Sequence, residues 1–184
     1  MSAVRLLLGF VCFVITGSNG LLKRNLLNEG LGVKKETDKE HRLEVVRIAA
    51  GEVGVRELSG NNDGERVEEY LAAVGLKKGQ PWCAAFVCWV YGRAGYRRPL
   101  SGWSPALFPL SRLTKAVLPG DVLGIYIAKM KRIAHVGLVE RMDGDWCLSV
   151  EGNTNLNGGI EGDGVYRKRR HLKTVYRVAD WVRL

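Results

Sequence analysis

A cysteine, a histidine and an acid, in that order along the chain, are the residues that can do chemistry together. Cys83 opens the apolar run Gln80-Pro81-Trp82-Cys83-Ala84-Ala85-Phe86-Val87-Cys88-Trp89-Val90-Tyr91. His135 lies in Arg132-Ile133-Ala134-His135-Val136-Gly137-Leu138-Val139. Glu151 and Asn153 lie in Ser149-Val150-Glu151-Gly152-Asn153-Thr154-Asn155. A thiol is a nucleophile near neutral pH when its surroundings favour the thiolate, and nucleophilic catalysis then needs a base and a group to orient it. In this set Cys83 attacks an amide carbonyl. His135 takes the thiol proton and later protonates the leaving amine, and Glu151 or Asn153 holds the imidazole in its tautomer and orientation. Plainer roles exist for each residue: a small buried hydrophobe, a hydrogen-bonded strand histidine, a turn.

The elements that must position them follow from local pattern. Pro81 suits a helix's opening position, and Gly92 and Gly95 end the run. The residues between are apolar nearly all round, which predicts a central helix with Cys83 in its first turn, facing unpaired N–H groups and the positive end of the dipole. Ile133 to Met142 reads as a strand, Asp143-Gly144 as a tight hairpin turn, and Trp146, Leu148 and Val150 alternate with Cys147, Ser149 and Glu151 at strand period. Residues two apart on a strand share a face, so Glu151 and Asn153 are both expected to point toward His135.

Around this core of motifs, Thr37-Asp38-Lys39-Glu40 begins a helix with a capping box, and Leu43, Val46, Ala50 and Val53 fall on one face. A second helix turns Val67, Tyr70, Leu71 and Val74 inward. Leu58 to Gly64 is a loop whose Asn and Asp residues fit turns and caps better than a calcium site. Ser101 to Phe108 holds a proline-led short helix, with Trp103 as a core plug or a cleft wall. Val122–Ala128, Gly164–Arg170 and Thr174–Trp181 are further strands, and a glycine-rich loop spans Asn155–Asp163. Helices first and an antiparallel sheet after them make an α+β domain.

Composition bounds the setting. Met1–Arg5 carries one charge, Leu6–Ile15 is apolar but short, and Thr16–Gly20 is small and polar, the layout of a secretory signal peptide over 1–20. Residues 21–37 read as a linker or loose arm and 38–184 as one domain. Cys12 leaves with the signal, so Cys83, Cys88 and Cys147 remain, an odd count that implies a free thiol. Cys88 and Cys147 could pair. No spacing fits zinc, and no cofactor is expected. The net charge of +9 fits an anionic polymer such as a bacterial wall, and export argues against nucleic acid. No membrane contact is expected after signal cleavage, and the protein is read as a monomer.

Pro81-Trp82-Cys83-Ala84-Ala85-Phe86-Val87, Ala134-His135-Val136-Gly137 and Glu151-Gly152-Asn153-Thr154-Asn155 resemble the three motif blocks of CHAP domains, the cysteine- and histidine-dependent amidohydrolases and peptidases. Gly60-Asn61-Asn62-Asp63-Gly64 and Gly120-Asp121-Val122 also look like that family, and the resemblance runs from about residue 40 to 182. It implies a papain-like fold and cleavage of amide bonds in peptidoglycan stem peptides. It maps the nucleophile to Cys83, the base to His135 and the orienting roles to Glu151 and Asn153. Trp82, Trp103 and Gln80 are the expected substrate contacts. Papain-type enzymes often carry an oxyanion-binding glutamine six residues before the cysteine, where this chain has Lys77. The Cys83 backbone N–H is expected to take much of that role. Two other readings stay open: a non-catalytic wall-binding protein on the same fold, and a papain-like enzyme acting on protein or acyl substrates.

Overall fold

The computed structural model describes residues 37–157 and 162–183. The targeting segment expected over 1–20, with Cys12, lies outside them. So does the arm expected over 21–37, except Thr37, and so do residues 158–161 of the glycine-rich loop.

Three α-helices precede a five-stranded antiparallel sheet, so the α+β class holds. The first helix, α1, covers 37–51. It buries Val45 and Ala49 rather than the expected face, and Leu43 is 54% exposed. The rotation follows from Arg42, which reaches Asp121 at 2.7 Å and Asp180 at 2.6 Å. A cation that must meet two carboxylates of the sheet side fixes which face of the helix turns in. Burial pushes the Asp121 carboxyl up to about 6, with the Leu118 N–H and Arg42 pulling the other way. Helix α2 (Glu65–Ala72) buries Val67, Tyr70 and Leu71 as its period requires.

Helix α3 (Cys83–Arg93) buries eight of its eleven residues and forms the middle of the core. It starts two residues after Pro81, and Gly95 (φ 88°) stops the chain from continuing it. The sheet, in the order β4-β3-β2-β1-β5, comprises β1 (Val122–Ile127), β2 (Arg132–Asp143), β3 (Trp146–Thr154), β4 (Gly164–His171) and β5 (Arg177–Ala179). The last strand is shorter than the expected Thr174–Trp181. A short turn occupies Leu172–Thr174, and Asp180 leaves the ladder to meet Arg42. Valines 122, 136, 150 and 165 and Leu138 pack on the helices. Leu123, Val139 and Cys147 form a smaller cluster on the opposite face.

Two irregularities bear on function. Ile125 pairs with His135 but Tyr126 pairs with Ile133, so Ala134 is an extra residue in β2. Such a bulge re-aims the side chains beside it. Between Glu151↔Tyr166 and Thr154↔Gly164, β3 again carries an extra residue, and Asn153 there has φ 51°.

Candidate active site

Cys83 reaches the sheet because α3 starts against β2. Trp82, at the helix N-cap, offers no side-chain oxygen to the first-turn N–H groups, which are left facing the thiol's end of the helix. The Ser104 hydroxyl lies 3.5 Å from Sγ, at hydrogen-bonding distance, and the Val136 backbone N–H also favours the thiolate. Glycine at 152 is what lets α3 come this close: a Cβ there would lie 2.7 Å from the Trp82 ring and 2.8 Å from Phe86.

His135 shares the cleft with Cys83, whose charge favours the imidazolium, and is hydrogen-bonded through Nε2 to Glu151 Oε2 at 2.7 Å. With Nε2 turned to the carboxylate, Nδ1 is the nitrogen available to the thiol. The route to Glu151 runs over a glycine. Leu138 pairs with Val150, so Gly137 stands opposite Glu151, and His135 is two residues further along the same face. The Glu151 side chain lies across Gly137 to meet the imidazole, and a Cβ on Gly137 would sit 2.5 Å from Glu151 Cγ.

Glu151 is wholly buried, and a buried carboxylate needs both charge and hydrogen-bond partners. It has them. Arg170 on β4 donates from Nε to Oε1 at 2.8 Å and from its terminal nitrogen to Oε2 at 2.6 Å. The Ser149 hydroxyl donates to Oε1 at 2.6 Å. The result is a row in which His135 lies between the Cys83 thiol and the Glu151 carboxylate, and Arg170 caps the carboxylate from the far side.

The electrostatics agree with that row. Burial resists ionisation of Cys83, but His135, Ser104 and the Val136 N–H outweigh it and hold the thiol below its ordinary value. Burial likewise resists a charged imidazole, yet the hydrogen bonds and charges of Cys83 and Glu151 raise His135 to about 10. Burial pushes Glu151 up, and Arg170 and His135 override it to hold the carboxyl well below the usual range. The other two cysteines behave oppositely. Burial pushes Cys88 and Cys147 each up to about 11, so both stay neutral thiols. All three are free, and Cys88 and Cys147 lie in separate apolar clusters.

The remaining expected site residues divide. Asn153 lines the cleft with Cys83 and His135 but does not orient the imidazole. Its positive φ at the bulge breaks the strand alternation that put it beside Glu151, and its amide donates instead to Asn62 Oδ1 at 2.6 Å. Trp82 is not a substrate contact. It is wholly buried, stacks on Tyr70 with ring centres 5.5 Å apart, and donates its indole N–H to Glu57 at 2.8 Å. Trp103 is 54% exposed and, with Gln80, walls a groove beside Cys83. The Leu58–Gly64 loop is tied to itself: Asp63 accepts from the Ser59 N–H at 2.9 Å and hydroxyl at 2.8 Å.

Ser104, Ser149 and Arg170 are the site residues that sequence reasoning missed. A signal existed for Arg170. An acid on the buried face of a strand demands a cation, and the basic run Arg167–Arg170 on the adjoining strand is where one would be sought. Ser104 has no such signal, because only the fold brings the 101–108 segment to the thiol.

Comparison with known proteins found no matching family model, no matching curated relative and no matching solved structure. Among the described residues, no helix is long and apolar enough to cross a membrane, and no cluster of three or more His, Cys, Asp or Glu residues could hold a metal ion.

Proposed function

We propose that this protein is an exported cysteine hydrolase of CHAP type, with a papain-like arrangement, that cleaves amide bonds of peptidoglycan stem peptides. The observation that carries the reading is the placement of His135 between Cys83 and Glu151, electrostatically coupled to the thiol and hydrogen-bonded to the carboxylate at 2.7 Å, beside a cleft of about 390 Å³. A structural cysteine has no need of an imidazole beside it, and a structural histidine has no need of a buried carboxylate locked by arginine.

In the mechanism the thiolate of Cys83 attacks the amide carbonyl, and the S–C bond forms as the C=O π pair moves to oxygen. The Cys83 N–H at the start of α3 donates to that oxyanion. His135 gives its proton to the leaving nitrogen as the C–N bond breaks, releasing the amine and leaving a thioester. Neutral His135 then takes a proton from water, whose oxygen attacks the thioester. Collapse frees the acid and restores the thiolate–imidazolium pair. Glu151 stabilises the imidazolium throughout without taking its proton.

The test is mass spectrometry of purified peptidoglycan after incubation with the protein under mild reduction, beside Cys83→Ala. Fragments from the wild type alone support hydrolysis, and their termini name the bond. Fragments from neither protein, with wall binding retained by Cys83→Ala, would replace this reading with a wall-binding module.

A further inference from the structure

Two grooves meet at Cys83. The first contains His135, Asn153, Lys168 and Arg170, and the second, of about 500 Å³, contains Gln80, Trp103 and Ser104. Cys83 and Arg132 wall both. Among the described residues no Asp or Glu lines either groove, although three cations do. The charge of Arg170 is already met by Glu151, and the Lys168 ammonium donates to the Asn155 carbonyl at 2.6 Å.

Arg132 stands differently. Its guanidinium lies 4.2 Å over the Trp103 ring and one N–H goes to the Ile133 carbonyl at 3.1 Å. Among the described residues no carboxylate pairs with it. That position leaves guanidinium N–H groups beyond the one bonded to Ile133, and two N–H groups of a planar guanidinium form a fork that can grip a carboxylate at two points. Trp103 is more than half exposed, so its ring serves as a platform under the arginine rather than as a core plug. The bulge at Ala134 sits between Arg132 and His135, which brings the fork to the same mouth as the base.

We propose that Arg132, held on Trp103, is a subsite for a carboxylate that the substrate carries beside its scissile amide. The natural substrate implied is an acidic peptide with a free carboxylate next to the cut, taken in preference to the same peptide with that group as a carboxamide. A carboxamide leaves the fork with one hydrogen bond and an unmet charge. The peptide form of this inference rests on the proposed amide hydrolysis; the carboxylate subsite itself does not, and the two are separable.

The experiment compares Cys83 alkylation by iodoacetate and iodoacetamide, which are alike in size and differ in charge. In both, the thiolate displaces iodide and an S–C bond replaces the C–I bond. His135 contributes equally in every variant, so the ratio of the two rates reports the subsite. We expect Arg132→Gln to lower the iodoacetate-to-iodoacetamide ratio about tenfold. Arg132→Lys, which keeps the charge without the fork, should fall between. Lys39→Gln, which removes a charge outside both grooves, should keep the wild-type ratio. A ratio unchanged in Arg132→Gln, or one that falls instead with Lys168→Gln, overturns the assignment. A second arm offers stem peptides in free-acid and amidated forms. No cleavage of either, with an Arg132-dependent alkylation ratio, would sink the hydrolase reading and keep the subsite. Equal cleavage of both, with an indifferent ratio, would do the reverse.

Discussion

Replacing Gly137 by alanine should disable the site without touching a reactive atom. The new Cβ would lie 2.5 Å from Glu151 Cγ and 3.2 Å from the Val150 carbonyl oxygen. Carbon atoms in contact sit about 3.5–4.0 Å apart, so the Glu151 side chain must retreat by roughly 1 Å. The backbone on the other side cannot yield as easily, since it is held in the β2–β3 ladder. A retreat of that size takes the His135–Glu151 bond from 2.7 Å to beyond hydrogen-bonding distance. It also disturbs the two bonds from Arg170. Overpacking should cost about 1–3 kcal/mol of stability. Misplacing the orienting group by about 1 Å should lower kcat about a hundredfold. The assay pairs peptidoglycan turnover with the pH dependence of iodoacetamide alkylation and thermal unfolding. Gly92→Ala is the control: a Cβ there meets nothing within 4 Å, and it should stabilise α3 by about 0.5–1 kcal/mol. Wild-type turnover and an unshifted alkylation profile in Gly137→Ala would refute the geometry argued for Glu151.

The pH dependence of stability has a stated shape. His135, raised in the fold to about 10 from about 6.5 unfolded, contributes stability that is full below about pH 6.5 and is lost as pH rises toward 10. Cys83, lowered in the fold, contributes in the opposite sense: its share is present above the unfolded thiol's value of about 8.5 and is lost as pH falls. Glu151, depressed in the fold, adds a further loss as pH drops below about 4.3. Denaturant unfolding of wild type and His135→Ala across pH checks this; parallel curves would contradict it. Ser104→Ala removes one hydrogen bond to the sulfur, so the Cys83 alkylation profile should move to higher pH with a stability change of only about 1 kcal/mol. An unmoved profile would take Ser104 out of thiolate stabilisation. Arg170→Gln leaves Glu151 buried without its cation and should cost about 3 kcal/mol or more, together with turnover, whereas Arg167→Gln, whose pair with Glu140 is more exposed, should cost under about 1 kcal/mol. Equal losses from the two would show that Arg170 is not the counter-charge.

Much of this protein was legible before any coordinates. Pro81 before an all-apolar run was enough for a buried helix headed by Cys83, because helix starts and full burial are local signals. The period-two pattern around His135 and Glu151, joined by Asp143-Gly144, was enough for the hairpin that carries both residues. Three things needed the tertiary structure. Asn153 left the imidazole because a positive φ at a bulge breaks alternation, and nothing local marks where a sheet takes an extra residue. Trp82 went to the core and α1 turned away from its expected face because distant partners, Tyr70 and Glu57 for one, Asp121 and Asp180 for the other, decided their orientation. Ser104 and Arg170 joined the site across long stretches of chain. Spacing along a sequence encodes which residues share an element's face, whereas which faces meet is set by packing and charge pairing that exist only once the chain is folded.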